Sequence, residues 1–191
     1  MYKVGIITVP ERKESLKLIT DYLDSKGIDY VIFVDKEHKG HKWNFNEMLK
    51  YFCDNVYKDY NIVLCMDDVL LKENTFEKFD EVLESTDYDV IGGYSNKIQN
   101  EKNDLYNGTG KHCLYDVCVC YRKGVLNPNY YKYFHQYATN PERSIKEQNH
   151  YDVMNSHFLR DYKYKICVVR PNLVSLQNVK STLNHNIKIA N

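Results

Sequence analysis

The chain has 191 residues, 43% hydrophobic and 27% charged, which suits one globular domain with its own core. Its 26 basic residues balance 26 acidic ones, so no global basic field is present to hold nucleic acid. No apolar run reaches the roughly eighteen residues of a membrane-spanning helix.

Lys3 to Thr8 (KVGIIT) reads as a strand that ends before Pro10, because proline cannot donate to a ladder. Leu16, Ile19 and Leu23 then recur at helical spacing, and Gly27 stands where a helix C-cap is expected. Tyr30 to Val34 is a second strand, ending at Asp35. This β-α-β order implies a parallel pair with a right-handed crossover. Lys36 to Lys42 is a polar, basic loop, and Asn44 to Tyr57 returns to helical period through Phe45, Met48, Leu49, Phe52 and Val56. Asn61 to Leu71 (NIVLCMDDVLL) comes next. Its apolar run, Ile62 to Cys65, reads as a strand buried on both faces. Thr75 to Ser85 predicts a third amphipathic helix, and Asp89 to Ile91 a short strand broken by Gly92 and Gly93.

The composition changes near Ser95. Ser95 to Lys111 reads as a long polar loop, and Tyr115 to Tyr121 alternates like a strand. Tyrosines cluster around Tyr130, where aromatic core is the first expectation and a sugar or base platform the second. Ala138 to Lys146 reads as a loop, Glu147 to Tyr162 as a helix, Lys165 to Val169 as the last strand, and Arg170 to Asn191 as an irregular tail. The whole predicts an α/β fold: one domain with a mostly parallel central sheet flanked by helices. MYKVGIITV lacks the long apolar segment and cleavage site of a signal peptide. None of the six cysteines forms a CxxC, so reduced thiols in a cytoplasm are expected. A metal role for Cys118 and Cys120, on one face of a strand, is the lesser reading beside simple burial.

Asp67 and Asp68 do not suit the inside of a buried strand, since isolated buried charges are costly. They suit its carboxyl end, the edge at which ligands bind in open α/β sheets. Two acids held there can grip a divalent cation, and the cation can hold a diphosphate. The competing reading is a solvated acidic turn. Three strand ends converge on this edge: Thr8 to Arg12, Asp35, and Asp67-Asp68. An acid ending the second strand is placed to accept hydrogen bonds from a ribose or base. Arg12 reaches a phosphate, caps its helix, or is a plain surface arginine. No GxGxxG follows the first strand and no Walker A sequence exists, which leaves carboxylate plus metal as the means of holding phosphate.

The element order, ending in a buried strand with an acid pair, resembles the nucleotide-sugar glycosyltransferases of the GT-A fold, of bacterial or phage type. Three segments carry it: TVPER at Thr8 to Arg12, CMDDV at Cys65 to Val69, and HYDVMNSHFL at His150 to Leu159 followed by RPNLVSLQNVKST at Arg170 to Thr182. The resemblance implies a nucleotide-sugar donor contacted by Thr8, Val9, Pro10, Arg12, Asp35, Asn44 and Asp67. It implies Mn²⁺ or Mg²⁺ at Asp68, bridging the sugar diphosphate. It implies Asp152 as general base of an inverting transfer. Met66 stands where the family usually has an acid, and Leu176 where many relatives have a metal-binding His; either His185 substitutes for that ligand, or fewer protein ligands hold the metal, or the metal is not essential. Residues 1–94 would form the nucleotide-sugar half and 95–191 the acceptor half. A saccharide is the default acceptor, modified-base DNA the other. The expected setting is the cytoplasm of a bacterial or phage-infected cell. A non-catalytic nucleotide-sugar or glycan-binding module and a nucleotidyltransferase are the alternatives.

Several side chains have simpler explanations. Asn44 serves equally as an N-cap, Trp43 as packing, and Lys36, Lys39 and Lys42 as a solvated charged loop.

Overall fold

Alternation along each strand sorts the apolar residues onto two faces of one sheet. The computed structural model describes residues 1–55, 58–95, 105–107, 117–142 and 151–177, with the backbone alone for 105–107 and 151–152. The strands are β1 (Tyr2–Thr8), β2 (Asp29–Val34), β3 (Asn61–Met66), β4 (Val69–Leu71), β5 (Val90–Gly92), β6 (Leu105–Asn107), β7 (Cys118–Tyr121), β8 (Ile166–Val169) and β9 (Val174–Leu176). The helices are α1 (Lys13–Ser25), α2 (His41–Asn55), α3 (Thr75–Ser85), α4 (Pro128–Ala138) and α5 (Tyr151–Asp161).

Among the described residues seven strands form the main sheet, in the order β2-β1-β3-β7-β5-β8-β6. β1 pairs in parallel with both β2 and β3, and β5 with β8. β7 runs against both of its neighbours, and β6 runs against β8. The fold is therefore α/β, a mostly parallel mixed sheet flanked by helices and compatible with a single domain. β4 and β9 form a separate antiparallel ribbon, with Val69 opposite Leu176 and Leu71 opposite Val174. Among the described residues no helix is long and apolar enough to cross a membrane.

One face of the sheet, including Ile62, Leu64, Val119 and Val168, packs against Phe45, Met48 and Phe52 of α2, Phe134 of α4 and Phe158 of α5. The other face, including Val63, Cys65, Cys118, Cys120 and Cys167, packs against Ile19 and Leu23 of α1 and Phe76, Phe79 and Val82 of α3. Gly5 lets α2 lie close on β1: a Cβ there would stand 2.4 Å from Phe52 Cε2 and 2.7 Å from Met48 Sδ. Gly27 follows α1 at φ +64°, the left-handed conformation its place after the helix predicts. Arg122 donates to the carbonyls of Leu83, Thr86 and Tyr88 at 2.7–2.8 Å, satisfying orphan acceptors where α3 ends. Asn155 accepts from Tyr130 Oη at 2.9 Å and donates to Tyr121 Oη at 2.7 Å, so the buried tyrosines have partners.

Several boundaries differ from the sequence reading. α4 occupies the tyrosine cluster, for which no element was read, and β5 runs into Gly92, where the strand was expected to break. α2 begins at His41, so Asn44 lies in its first turn rather than at its cap. The tail predicted to be irregular contains β9, and the long polar loop contains β6. Each is three residues long, too short for a pattern to register, and each exists through its pairing with β4 or β8. Residues 56–57, 96–104, 108–116, 143–150 and 178–191 lie outside the described residues. These include parts of the predicted loops and helix ends, Cys113 and His185.

Candidate functional site

The carboxyl ends of β1 and β3 are locked together. Asp67 N donates to Ile7 O at 3.2 Å, extending the ladder one residue beyond β3. Asp67 and Asp68 then make the turn into β4. The Asp67 residue is only 2% exposed, and its carboxylate is paired on both sides. Thr8 Oγ1 donates to Oδ2 at 2.5 Å, and Arg12 Nη1 donates to Oδ1 at 2.7 Å. Charge-assisted hydrogen bonds of this kind offset the cost of holding the carboxylate out of water. Arg12 reaches the acids because β1 ends in a short 3-10 turn, Pro10–Arg12, closed by Arg12 N donating to Val9 O at 3.1 Å. Its side chain makes no helix cap.

Asp68 is held less fully. Its Oδ2 is 3.5 Å from Arg12 Nη1, while its Oδ1 is buried and has no hydrogen-bond partner. Burial pushes its carboxyl pKa up, against the pull of Arg12, and Asp67 adds a further push. Arg12 Nε, on the same cluster, is likewise buried without an acceptor. One bonded group of side chains thus has both an unmet acceptor and an unmet donor.

Gln177 fixes the acid turn, a role without a signal in the sequence. Its N–H donates to Asp68 O at 2.7 Å. Its Nε2 donates to Val69 O at 3.1 Å and reaches Ser15 O at 3.3 Å and Asp67 O at 3.4 Å. β4–β9 pairing carries Gln177 there, one residue beyond Leu176, which lies opposite Val69. Leu176 is 47% exposed and offers no ligand atom.

Asp35 and Asn44 shape the edge between β1 and β2. Asp35 N donates to Thr8 O at 2.9 Å, and its buried carboxylate accepts from Lys39 N at 2.9 Å and Gly40 N at 2.7 Å. The acid folds its own loop, whose reversal includes His38 at φ +53° and Gly40 at φ +100°. Asn44 Nδ2 donates to Thr8 O at 3.1 Å and Phe33 O at 2.8 Å. Both residues are thus engaged with the backbone that frames the site. Lys39 Nζ lies 4.7 Å from the Trp43 ring centroid, and Trp43 is 36% exposed. Val9 and Pro10 are half-buried on the β1–α1 turn.

Asp152 is the second residue of α5. β8 is parallel to β5, β5 antiparallel to β7, and β7 antiparallel to β3. β8 therefore points the same way as β3. α5 leads into the start of β8 through four residues, so its N-terminal turn lies towards the carboxyl edge that holds the acid pair. The Asp152 side chain and His185 are outside the described residues.

Asp68 Oδ1, a buried carboxylate oxygen without a partner, fits a hard divalent cation. Among the described residues no group of three or more His, Cys, Asp or Glu is arranged to hold a metal. An ion held there would take one carboxylate from the described residues, with its other positions filled by ligand oxygens, as Mg²⁺ is held with phosphates. The described cysteines are free and buried, and Cys65 and Cys118 lie opposite each other on β3 and β7 with Sγ atoms 3.7 Å apart. No protein-family model matches the chain, and no curated protein matches it.

Proposed function

We propose that this chain is a nucleotide-sugar-dependent glycosyltransferase of the GT-A type, transferring a sugar with inversion to an acceptor hydroxyl. One observation carries the reading: Thr8, Arg12, Asp67 and Asp68 form a single bonded cluster at the carboxyl edge of parallel strands. That is the edge at which ligands bind in α/β sheets. The direction of α5, with Asp152 in its first turn, adds support.

In the proposed reaction the acceptor oxygen bonds to the anomeric carbon while that carbon's bond to the diphosphate oxygen breaks. The bonding pair leaves with the nucleoside diphosphate, through an oxocarbenium-like state. The Asp152 carboxylate takes the acceptor proton as general base. Mn²⁺ or Mg²⁺, held by Asp68 and the diphosphate, would supply positive charge to the leaving group. Thr8, Arg12 and Gln177 fix the acid turn before the donor arrives, so little ordering remains to be done on binding. Val9, Pro10, Asp35 and Asn44 frame the donor side. The acceptor is a saccharide, and the setting is the cytoplasm of a bacterial or phage-infected cell.

Release of nucleoside diphosphate from a panel of nucleotide sugars, with saccharide acceptors, tests the reading. Wild-type protein should turn over one donor, and Asp152→Asn should abolish transfer while donor binding persists. Normal turnover in that variant would remove Asp152 from the base role. A chain that binds a donor yet never consumes it, with any acceptor or with water, is a non-catalytic module instead.

A further inference from the structure

We propose that Arg12 is a built-in counter-ion of the acid turn, which makes divalent-cation binding conditional on a phosphate-bearing ligand. The inference rests on the reading of this edge as a diphosphate and cation site. Its physical basis is charge. Asp67 and Asp68 alone would present two negative charges. Arg12 Nη1, at 2.7 Å from one carboxylate and 3.5 Å from the other, cancels one of them. A guanidinium is charged at every working pH. A divalent ion approaching Asp68 Oδ1 therefore meets one net negative charge and a nearby cation that repels it.

The same guanidinium is unfinished. Its Nε is buried and has no acceptor, while Nη1 is committed to the acids. The ligand class that completes an arginine fork is an oxyanion, and phosphate matches its geometry. A diphosphate bonded to Arg12 would neutralise the repelling charge. It would also bring the oxygens that Asp68 alone does not supply. Phosphate and cation then bind cooperatively, each raising the affinity for the other by the same factor. Asp67 serves throughout as the anchor of Arg12, not as a metal ligand, because both its oxygens are taken.

The test is Mn²⁺ binding to the purified full chain, read from loss of the free-ion EPR signal with the metal alone. Folded wild type should bind weakly, with Kd above about 1 mM. Micromolar binding of Mn²⁺ alone to wild type overturns the proposal whatever the variants do. Arg12→Gln keeps a donor for Asp67 and removes the charge, so Mn²⁺ should bind about tenfold tighter or more. Adding Asp68→Asn to that variant should cancel the gain, and Arg12→Lys should stay close to wild type. No gain in Arg12→Gln, or an equal gain in Arg12→Lys, contradicts the account. Inorganic pyrophosphate in metal-free buffer should bind Arg12→Gln about tenfold more weakly than wild type, and equal binding also contradicts it. None of these readouts needs turnover. If they hold while no nucleotide sugar binds, only the glycosyltransferase reading fails. If a donor is consumed while Arg12→Gln binds Mn²⁺ as wild type does, only the counter-ion role fails.

Discussion

Thr8→Val removes one hydroxyl and almost no volume, so it isolates the bond that ties β1 to the acid turn. Thr8 is 5% exposed and Asp67 2%, and Oγ1 donates to the carboxylate at 2.5 Å. A hydrogen bond to a charged group contributes about 1.5–3 kcal/mol. Stripping a buried charge of its partner costs about 3–5 kcal/mol. That larger figure does not apply, because Arg12 stays on the other oxygen at 2.7 Å. In a chain of this length each kcal/mol moves the melting temperature by about 2–4 °C. The expected fall is therefore about 3–12 °C. Thermal unfolding followed by circular dichroism at neutral pH, for wild type, Thr8→Val and Thr8→Ser, measures it. Serine keeps the donor and should recover most of the loss. A valine variant melting within about 1 °C of wild type would show that the Thr8–Asp67 bond contributes no stability. So would a serine variant that falls as far as valine.

Gly5→Ala should destabilise the fold by about 1–3 kcal/mol, because the added methyl overlaps the Phe52 ring and the Met48 sulfur. A chemical-denaturation midpoint equal to wild type would show that α2 retreats without cost. Stability should also decline on the alkaline side. Burial pushes the thiols of Cys53 and Cys167 up to about 12 from 9.0. Each native thiol stays protonated while its unfolded counterpart ionises. Its contribution is complete below about pH 9 and is lost between there and about pH 12, at about 1.4 kcal/mol per pH unit for each thiol. Urea midpoints across that window should fall with pH, and Cys167→Ala should make the fall shallower. A flat profile sinks the argument.

Where a residue's consequence is local, the sequence was legible. Apolar period placed α3 at Thr75–Ser85, and Pro10 marked the end of β1. The break between β3 and the acid turn followed from the cost of burying two charges. What escaped was decided by partners far along the chain. β9 exists because β4 pairs with it, and Gln177 reaches the Asp67-Asp68 turn 109 and 110 residues earlier only through that pairing. Arg12 looked like a phosphate ligand, a cap or a surface charge, and nothing in TVPER announced that it would bind the acids 55 and 56 residues on. Asp35 and Asn44 had the right address, but their polar atoms reach backbone groups of the fold, which composition cannot reveal.

Donor binding at the Asp67-Asp68 edge can be read from thermal-shift measurements with UDP-, GDP-, CMP- and dTDP-sugars, each with and without Mn²⁺. A ligand that binds only the native state stabilises it by about 2.7 kcal/mol at a hundred times its Kd. That corresponds to a rise of about 5–11 °C in a chain of this size. One nucleotide family should give such a rise, dependent on Mn²⁺, and Asp68→Ala should lose the Mn²⁺ dependence. No shift with any donor in well-folded protein, or a shift that Asp68→Ala leaves unchanged, would contradict donor binding at this edge.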